Sequence, residues 1–408
     1  MTDSSPSLLI VATAQWPMAA RLGMCFRDLG AAASWFGPTD HPLEYVHGMV
    51  RHFPIATRDP MGSLVRALET SGADWIMPTD DVAVRMLHGL AESLPELAER
   101  IGRSLGDASQ FGLVRSRTRL LTLATELGIA TPRTVLLDSA ERVAAMAGEW
   151  KLPAVVKLDG TSNGLGVVIA RSPEAVVEAW VRLKQPASLL AALKRRVING
   201  DRTAFLRTEG EVSLQSFVAG RPANAMYACD RGQVLAAMQV RVRATQHAAG
   251  SALVVERMED VRIAEAGEKL AAALGLSGFF GLDFHLEAET GRPVLLEMNP
   301  RATQLGHLAL SGAENGSSLC GALWTAWSGK RQDEHAAGTG AERIAFYPQT
   351  EVLGAEDPVL RGVWVDRPAG EPELMRELGG RPWYHRRLTA RVYDTLRRPE
   401  QYVPVHFE

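Results

Sequence analysis

Apolar runs alternate with amphipathic stretches over the first 112 residues of the chain. The apolar run at 8–12 predicts a buried strand, and the amphipathic stretch at 18–29 predicts a helix that ends at Gly30. The same pair of elements recurs at 74–78 and 82–90. Strands that alternate with helices in this way predict a doubly wound α/β domain.

A mixture of helices and strands follows, and strands dominate it after residue 211. Helices are predicted at 117–127, 140–149 and 260–275, and another is predicted to begin at Pro173 after a cap at Ser172. Strands are predicted at 134–137, 154–158, 167–170, 212–218, 224–229, 234–242, 279–287 and 294–299. The three strands between 212 and 242 predict a meander. Beyond residue 331 the chain turns polar, with a strand predicted at 343–347 and an Arg-rich helix near 384–398.

Composition narrows the class of protein. The 408 residues carry 44 Lys and Arg against 47 Asp and Glu, so there is no basic excess to predict a nucleic-acid partner. No apolar run approaches the roughly 18 residues of a membrane span, and the N-terminus does not resemble a secretory signal. Three widely spaced cysteines, Cys25, Cys229 and Cys320, favour the reducing cytoplasm.

A glycine-rich loop after a lysine that closes an apolar strand is the first candidate site. Lys157 closes the apolar strand 154–158, and the loop that follows contains Gly160, Thr161, Ser162 and Gly164. Glycines allow backbone N–H groups to approach a phosphate closely, while the hydroxyls and the lysine add donors and charge. The lysine precedes the glycines, so this is not a P-loop. The alternative interpretation is a plain glycine-rich hairpin with a surface lysine.

An acidic cluster on a predicted hairpin is the second candidate site. If the hairpin is symmetric about Thr290, Asp283 lies directly opposite Glu297, and Asn299 shares their face because side chains alternate along a strand. Two carboxylates and an amide oxygen are hard ligands that suit Mg²⁺ beside phosphates. Arg301, two residues further, has the charge to hold a phosphate or a carboxylate. The alternative is a solvated sheet face.

Together, the glycine loop and the Asp283…Glu297-x-Asn299-Pro300-Arg301 pattern resemble the ATP-grasp superfamily, in its carbamoyl-phosphate-synthetase-like and D-alanine–D-alanine-ligase-like forms. The resemblance implies a mixed α/β and α+β fold in four parts. These are a Rossmann-like pre-ATP-grasp domain at 1–112, a small subdomain with the glycine lid at 113–217, a catalytic subdomain with the magnesium site at 218–330, and a C-terminal extension at 331–408.

The resemblance also implies roles for individual residues. Lys157 matches a phosphate-binding lysine, and Arg117 stands where the family has a second one. The nucleotide contacts implied are Gln215, Phe217 and Val218 at adenine, Asn224 facing ribose or metal, and Gly160, Thr161, Ser162 and Gly164 in the lid. Asp283, Glu297 and Asn299 match metal ligands. The implied catalytic residues are Arg301, one of Arg241 and Arg243, and His307; for His307, as for His247, a plain loop histidine is the alternative.

The implied activity is that of a carboxylate–amine ligase that uses ATP and Mg²⁺, with Mn²⁺ as a substitute, and forms ADP through an acyl phosphate. Its partners would be a small carboxylate and an amine. A homodimer is open, because Trp324 and Trp327 suit either an interface or the core. Three alternatives remain: a carboxylase or carbamoyl-phosphate-type enzyme that uses bicarbonate, a non-catalytic nucleotide-binding protein, and a sugar- or dinucleotide-binding protein, which the missing GxGxxG disfavours.

Overall fold

The computed structural model describes most of the chain. The described residues are 6–161, 166–185, 189–194, 197, 201–203, 210–248, 250–311, 317–330, 336–379, 392 and 403–407. The Arg-rich helix predicted near 384–398 lies outside these ranges except for residue 392. None of the helices in the described part of the chain is both long and apolar enough to cross a bilayer.

The N-terminal part is a four-stranded parallel sheet in the order β3-β2-β1-β4, which confirms the α/β prediction. Side chains of β1 alternate between two cores: Leu8 and Ile10 pack on one side, and Leu9 and Val11 on the other. Its elements are β1 (Ser7–Val11), α1 (Pro17–Asp28), β2 (Ala32–Gly37), β3 (His52–Pro54), α2 (Pro60–Ser71), β4 (Trp75–Pro78), α3 (Asp81–Ser93) and α4 (Pro95–Leu105).

A second, smaller sheet is antiparallel and has the order β5-β8-β6-β7. Its apolar face packs on α7 and α8 around Trp150. The elements are α5 (Phe111–Val114), α6 (Arg117–Glu126), β5 (Thr134–Leu136), α7 (Ala140–Glu149), β6 (Ala154–Leu158), β7 (Val167–Ala170), α8 (Pro173–Lys184), α9 (Leu189–Lys194) and β8 (Val212–Ser216).

The third sheet is the largest and runs β13-β12-β9-β10-β11-β14-β15, with β16 paired to β10. It contains β9 (Gly220–Asp230), β10 (Gln233–Thr245), β11 (Ala252–Arg257), β12 (Gly278–Glu287), β13 (Pro293–Asn299), β14 (Arg343–Phe346), β15 (Trp364–Asp366) and β16 (Val405–His406). The accompanying helices are α10 (Val261–Leu274), α11 (Leu319–Ser328) and α12 (Pro372–Gly379). Strands from beyond residue 331 are therefore part of the same sheet as the acidic hairpin.

The predicted meander is wrong for its first strand. β8 pairs with β5 and β6 in the small sheet, whereas β9 and β10 pair with each other in the large one. The chain therefore changes sheets within a few residues, between Ser216 and Gly220. Strand pairing depends on contacts distant in sequence, which apolar periodicity does not report.

The N-terminal sheet and the large sheet share one core, and the tryptophans of α11 lie inside it. Trp324 is 1% exposed and meets the ring of Phe26 edge-on, with 6.0 Å between centroids. Trp327 stacks on Trp75 at 4.4 Å. Of the two roles open for these tryptophans, the structure gives them the core.

A buried ionic cluster joins three parts of the fold. Asp366 of β15 accepts hydrogen bonds from Arg21 of α1 and from His307 Nε2, the latter at 2.8 Å. All three side chains are less than a tenth exposed. Burial alone would raise the pKa of Asp366, but His307 and Arg21 outweigh it and hold that pKa well below its usual range. The carboxylate is therefore the hub of the cluster.

Replacing Asp366 with Asn should destabilise the protein, because a buried guanidinium loses its counter-charge. We expect the free energy of unfolding to fall by about 3–5 kcal/mol, measured by denaturant titration. Asp357→Asn is the matched control, since Asp357 pairs with the more exposed His406 and such pairs contribute about 0–1 kcal/mol. An equal, small loss in both variants would contradict the hub role of Asp366.

Candidate active site

A row of polar side chains crosses three neighbouring strands of the large sheet. Glu297 on β13 pairs with Asp283 on β12, and Asp283 pairs with Asn224 on β9. The opposition of Asp283 and Glu297 is the geometry that the symmetric hairpin predicts. Symmetry is lost just beyond them, where a bulge shifts the register between Asp283 and Phe284.

The row is electrostatically unbalanced. Asp283 accepts hydrogen bonds from the amide nitrogens of Asn224 and Asn299, the latter at 3.0 Å. Burial, followed by the charge of Glu297, raises the pKa of Asp283 to about 6. Burial would also raise the pKa of Glu297, but the charges of Arg117 and Lys157 outweigh it and lower that pKa to about 2. Glu297 is thus paired with Arg117, whereas Asp283 forms no ion pair within the part of the chain that the structure describes.

The donor set suits a hard cation. Within the described residues no three or more Asp, Glu, His or Cys side chains cluster as a metal site. The set here is instead two carboxylates and the Asn299 amide, all oxygen donors of the kind Mg²⁺ takes together with phosphate oxygens. The raised pKa of Asp283 is the observation that favours the fit, because a divalent cation would relieve the strain between two buried acids.

Two cations adjoin the acids from the small sheet. The Arg117 guanidinium donates to Asp159 and to Glu297, each at 2.7 Å. Lys157, on β6, is 6% exposed, and burial lowers its pKa to about 8 although Glu297 and other acids oppose the shift. A buried ammonium among carboxylates is a strong partner for an incoming anion.

The glycine loop begins beside these cations. Gly160 has φ +71°, a left-handed conformation that favours glycine. Its carbonyl oxygen accepts a hydrogen bond from Arg85 of the N-terminal domain at 2.7 Å. Thr161 donates its hydroxyl to the Leu158 carbonyl oxygen at 2.8 Å. Ser162 and Gly164, also predicted to contact phosphates, lie outside the described residues.

The chain segment between the two sheets forms another wall of the site. Gln215, at the end of β8, is 1% exposed, and its amide donates to the carbonyl oxygen of Leu296 at 3.4 Å. Phe217 remains 40% exposed. The carbonyl oxygen of Val218 bonds to His285 Nδ1 at 2.9 Å. Gln215, Phe217 and Val218 therefore line the same cavity as the acids, with an exposed aromatic ring and a buried amide among them.

Most of the predicted site residues that the structure describes line one cavity of about 380 Å³ between the small and large sheets, although Gly160 is not among the lining residues. Its lining includes the predicted residues Arg117, Lys157, Thr161, Gln215, Phe217, Val218, Asn224, Asp283, Glu297, Asn299 and Arg301. Predictions drawn from separate parts of the sequence therefore converge on one space.

Arg301 is brought to the cavity and is held by an acid from the N-terminal domain. Its guanidinium contacts the Asp81 carboxylate at 2.8 and 3.1 Å and the Asn299 amide oxygen at 3.2 Å. Asp81 is the first residue of α3, at the carboxyl end of the parallel strand β4. That end of a parallel sheet is where ligand-facing residues concentrate, so its position was a signal that the sequence analysis did not use.

Arg241 and Arg243 are not brought to the cavity. Val240 and Val242 line it, so the arginines between and after them point to the opposite face of β10. There Arg241 contacts Glu256 at 2.6 Å and Arg243 contacts the same carboxylate at 3.5 Å. The structure therefore places both arginines outside the cavity, on the opposite face of β10 from the other predicted site residues.

The histidines expected to assist proton transfer are also placed elsewhere. His307 lies in the cluster with Asp366 and does not line the cavity. Burial lowers its pKa, although Asp366 opposes the shift. His247 likewise is not among the lining residues, although its neighbours Ala248 and Ser251 are. His307 is therefore a buried member of the Asp366 cluster and lies outside this cavity.

Asp159 is a second residue of the site that the sequence patterns did not indicate. This residue follows Lys157 by two positions and accepts hydrogen bonds from both the backbone N–H and the side chain of Arg117, at 3.0 and 2.7 Å. It sets the direction of the guanidinium that reaches Glu297. An acid next to the first loop glycine was the available signal.

Comparison with known proteins agrees with this geometry. Residues 122–317 match the family model of the ATP-grasp domain. This stretch is an ATP-grasp domain, as the sequence motifs predicted. The match spans the glycine loop, the chain segment between the two sheets and the acidic hairpin.

Two relatives are similar over about half of their length. A formate-dependent phosphoribosylglycinamide formyltransferase of a Synechococcus strain is 26% identical over 222 residues, which are 54% of this chain and 53% of the relative. A probable alpha-L-glutamate ligase of Teredinibacter turnerae is 28% identical over 194 residues, 45% of this chain and 55% of the relative. The chain thus spans about half the length of the curated relatives it matches.

Solved structures agree on the fold. The carboxyaminoimidazole ribonucleotide synthase of Aspergillus clavatus, crystallised with ATP, superposes with a TM-score of 0.60 at 14% identity, over 82% of this chain and 80% of that one. The corresponding synthetase of Thermus thermophilus gives 0.54 at 19% identity, over 81% and 80%. The superposition covers more of this chain than residues 122–317.

Replacing Lys157 with Ala should weaken ATP binding by about 10-fold or more, because a buried charge-assisted contact with the phosphates is lost. Isothermal titration calorimetry with ATP measures the change. The control is Lys151→Ala, which removes an exposed lysine just before β6 and should leave ATP binding unchanged. An unchanged affinity of Lys157→Ala for ATP would show that the glycine loop is a plain hairpin and not a phosphate-binding loop.

Proposed function

We propose that this protein is an ATP-dependent ligase that activates a carboxylate as an acyl phosphate and joins it to an amine, releasing ADP and phosphate. The observation that carries the proposal is the row Glu297–Asp283–Asn224 in the same cavity as Lys157 and Arg117. The relatives' names fit this class, since formate and glutamate are carboxylates.

Nucleotide binding is assigned to the walls between the two sheets. Adenine would lie in the cavity beside Gln215, Phe217 and Val218. The triphosphate would extend towards Lys157 and Arg117 beneath the loop that begins at Gly160, and Arg301 would face the transferred phosphoryl group. The contact of Arg117 with Glu297 would then be exchanged in part for a contact with phosphate.

Magnesium, or manganese in its place, would be held by Asp283, Glu297 and Asn299. When bound, it supplies positive charge at the phosphate oxygens during transfer. Asn224 donates to Asp283 and so fixes the direction of that carboxylate. Asn299 is oriented in the same way by Arg301, which donates to its amide oxygen.

The chemistry requires positioning more than nucleophilic side chains. An oxygen of the substrate carboxylate attacks the γ-phosphorus, and the bond to the β-phosphate oxygen breaks to release ADP. The amine nitrogen then attacks the acyl carbon, and inorganic phosphate leaves. Lys157, Arg117 and Arg301 would hold the phosphates in line, while the glycine loop would exclude water that hydrolyses an acyl phosphate.

The setting of the reaction follows from the same residues. Small carboxylates and amines are the partners we infer. Cys25, Cys229 and Cys320 are not joined in disulfides, in keeping with the cytoplasmic location that we infer. Trp324 and Trp327 are buried in the core and therefore do not form a dimer interface. The homodimer remains a proposal, which a measurement of the oligomeric state tests.

A panel assay of ADP release tests the proposed class. The full chain is mixed with ATP, Mg²⁺ and pairs drawn from carboxylic acids and amines, and we expect release that requires both members of a pair and stops with EDTA. Release that depends on bicarbonate alone would identify a carboxylase. Tight ATP binding without release for any pair would identify a nucleotide-binding protein that does not turn over.

Glu297→Gln should lower ADP release by at least about 100-fold, because it removes a metal ligand's charge and little volume. Glu287→Gln is the matched control on the same hairpin, where Glu287 bonds the hydroxyl of Thr290 outside the cavity. Circular dichroism and thermal melting establish that both variants fold. Near-normal turnover in Glu297→Gln would remove this residue from the site.

A further inference from the structure

The face of the large sheet that carries the acids changes character at β10. Asn224 pairs across to Val240, so the row Glu297–Asp283–Asn224 continues into an aliphatic side chain. Val242, two residues along β10, shares this face and pairs with Val255 of β11. The cavity that begins between carboxylates therefore continues over a floor of valines.

Aromatic and apolar residues from three other parts of the chain wall this end of the cavity. Trp16 and Met18 come from the start of α1, and Phe346 ends β14. Phe407 reaches the cavity because β16 pairs with β10 at Ala244 and Thr245. Met18 and Phe346 belong to the main core, against which Trp16 and Phe407 pack partly buried. We call these residues and the valine floor the apolar compartment.

The polar groups at this end are uncharged. Thr245, Ser251, Thr303 and Gln304 line the cavity beside the apolar compartment. They are positioned to orient a ligand by hydrogen bonds, without the charge that a phosphate requires.

The cations of the same cavity are already matched with acids. Arg117 is bonded to Asp159 and Glu297, and Arg301 to Asp81. Lys157 lies among Glu297, Asp283 and Asp159. These are the arginines and lysine among the described lining residues, and all three face the acidic row rather than the valines.

Arg257 continues the row on β11, opposite Val240, but is outside the cavity lining. Its Nε donates a hydrogen bond to the carbonyl oxygen of Ala341 at 2.6 Å. Arg257 is therefore not one of the groups that line the apolar compartment.

We propose, on the basis of the ligase function above, that the substrate held in the apolar compartment carries a bulky uncharged apolar group and no phosphate. A branched aliphatic or aromatic amino acid has this chemistry. Its carboxylate or amine would lie towards Asp283 and the transferred phosphoryl group, and its side chain over Val240 and Val242. Burial of such a group against aliphatic and aromatic walls favours binding, whereas a phosphate there would be desolvated without a counter-charge.

The proposal separates this chain from the first relative. The name of that relative specifies a phosphoribosyl substrate, and a phosphate needs cations or a cluster of backbone donors to bind. Among its described lining residues, the apolar compartment has an aliphatic floor and no unmatched cation. The shared family thus leaves room for a different substrate class.

Matched substrates test the proposal in the ADP-release assay. L-phenylalanine, L-leucine and L-alanine are compared with O-phospho-L-tyrosine, L-aspartate and L-lysine, each alone and paired with a second amino acid. We expect kcat/KM for phenylalanine or leucine to exceed that for alanine by at least about 10-fold. Phosphotyrosine, which differs from phenylalanine by a phosphorylated hydroxyl, should give no release above background.

Ala252→Leu tests the location. Ala252 lines the cavity opposite Thr245 and is only partly buried, so added methyl groups fill the compartment without a clash in the core. We expect kcat/KM for the bulky substrate to fall by at least about 10-fold, with less than about 3-fold change for alanine and an unchanged KM for ATP. Ala273→Leu makes the same change on the exposed face of α10 and should leave all three constants unchanged.

The outcomes distinguish the two proposals. Selective turnover of bulky apolar substrates, with selective loss in Ala252→Leu, supports the apolar compartment. Turnover that prefers charged or phosphorylated substrates, or an equal loss for large and small substrates in Ala252→Leu, overturns it and leaves the ligase function standing. Absence of any substrate-dependent ADP release overturns the ligase function, and this proposal with it.

Discussion

The structure depends on two carboxylates that lie opposite each other on neighbouring strands and repel each other. Backbone register places Glu297 opposite Asp283, and the residues paired with these two acids across the neighbouring strands carry no positive charge. Charge compensation must therefore come from elsewhere, and it comes from the small sheet through Arg117 and Lys157. Two sheets that belong to separate parts of the fold are held face to face by the same charges that make the cavity between them suited to phosphates.

Local chemistry could be predicted because it depends on short stretches of sequence. The short loop around Thr290 fixes which residues of β12 and β13 can pair, so the opposition of Asp283 and Glu297 follows from counting. The left-handed conformation of Gly160, at the start of the glycine loop, is similarly local. The bulge beyond Asp283 was not predictable, since nothing in the apolar pattern marks the extra residue at 296.

Long-range pairing could not be predicted from the pattern. Val240 and Val242 alternate with Arg241 and Arg243, which indicates that the two arginines share one face of β10. Only the pairing of Val240 with Asn224 shows that the valine face is the one that lines the site. The transfer of β8 to the small sheet has the same origin. His307 meets Asp366 across 59 residues of sequence, so its use inside the fold was hidden while its place after the metal motif suggested chemistry.

The contact between Arg301 and Asp81 has a consequence for how such sequences can diverge. The two residues lie 220 positions apart, in different domains, and each supplies the other's counter-charge. Loss of either one leaves an unmatched ion at the domain boundary. Among descendants of this sequence, positions 81 and 301 should therefore drift as a pair, and a neutral residue at one should accompany a neutral residue at the other.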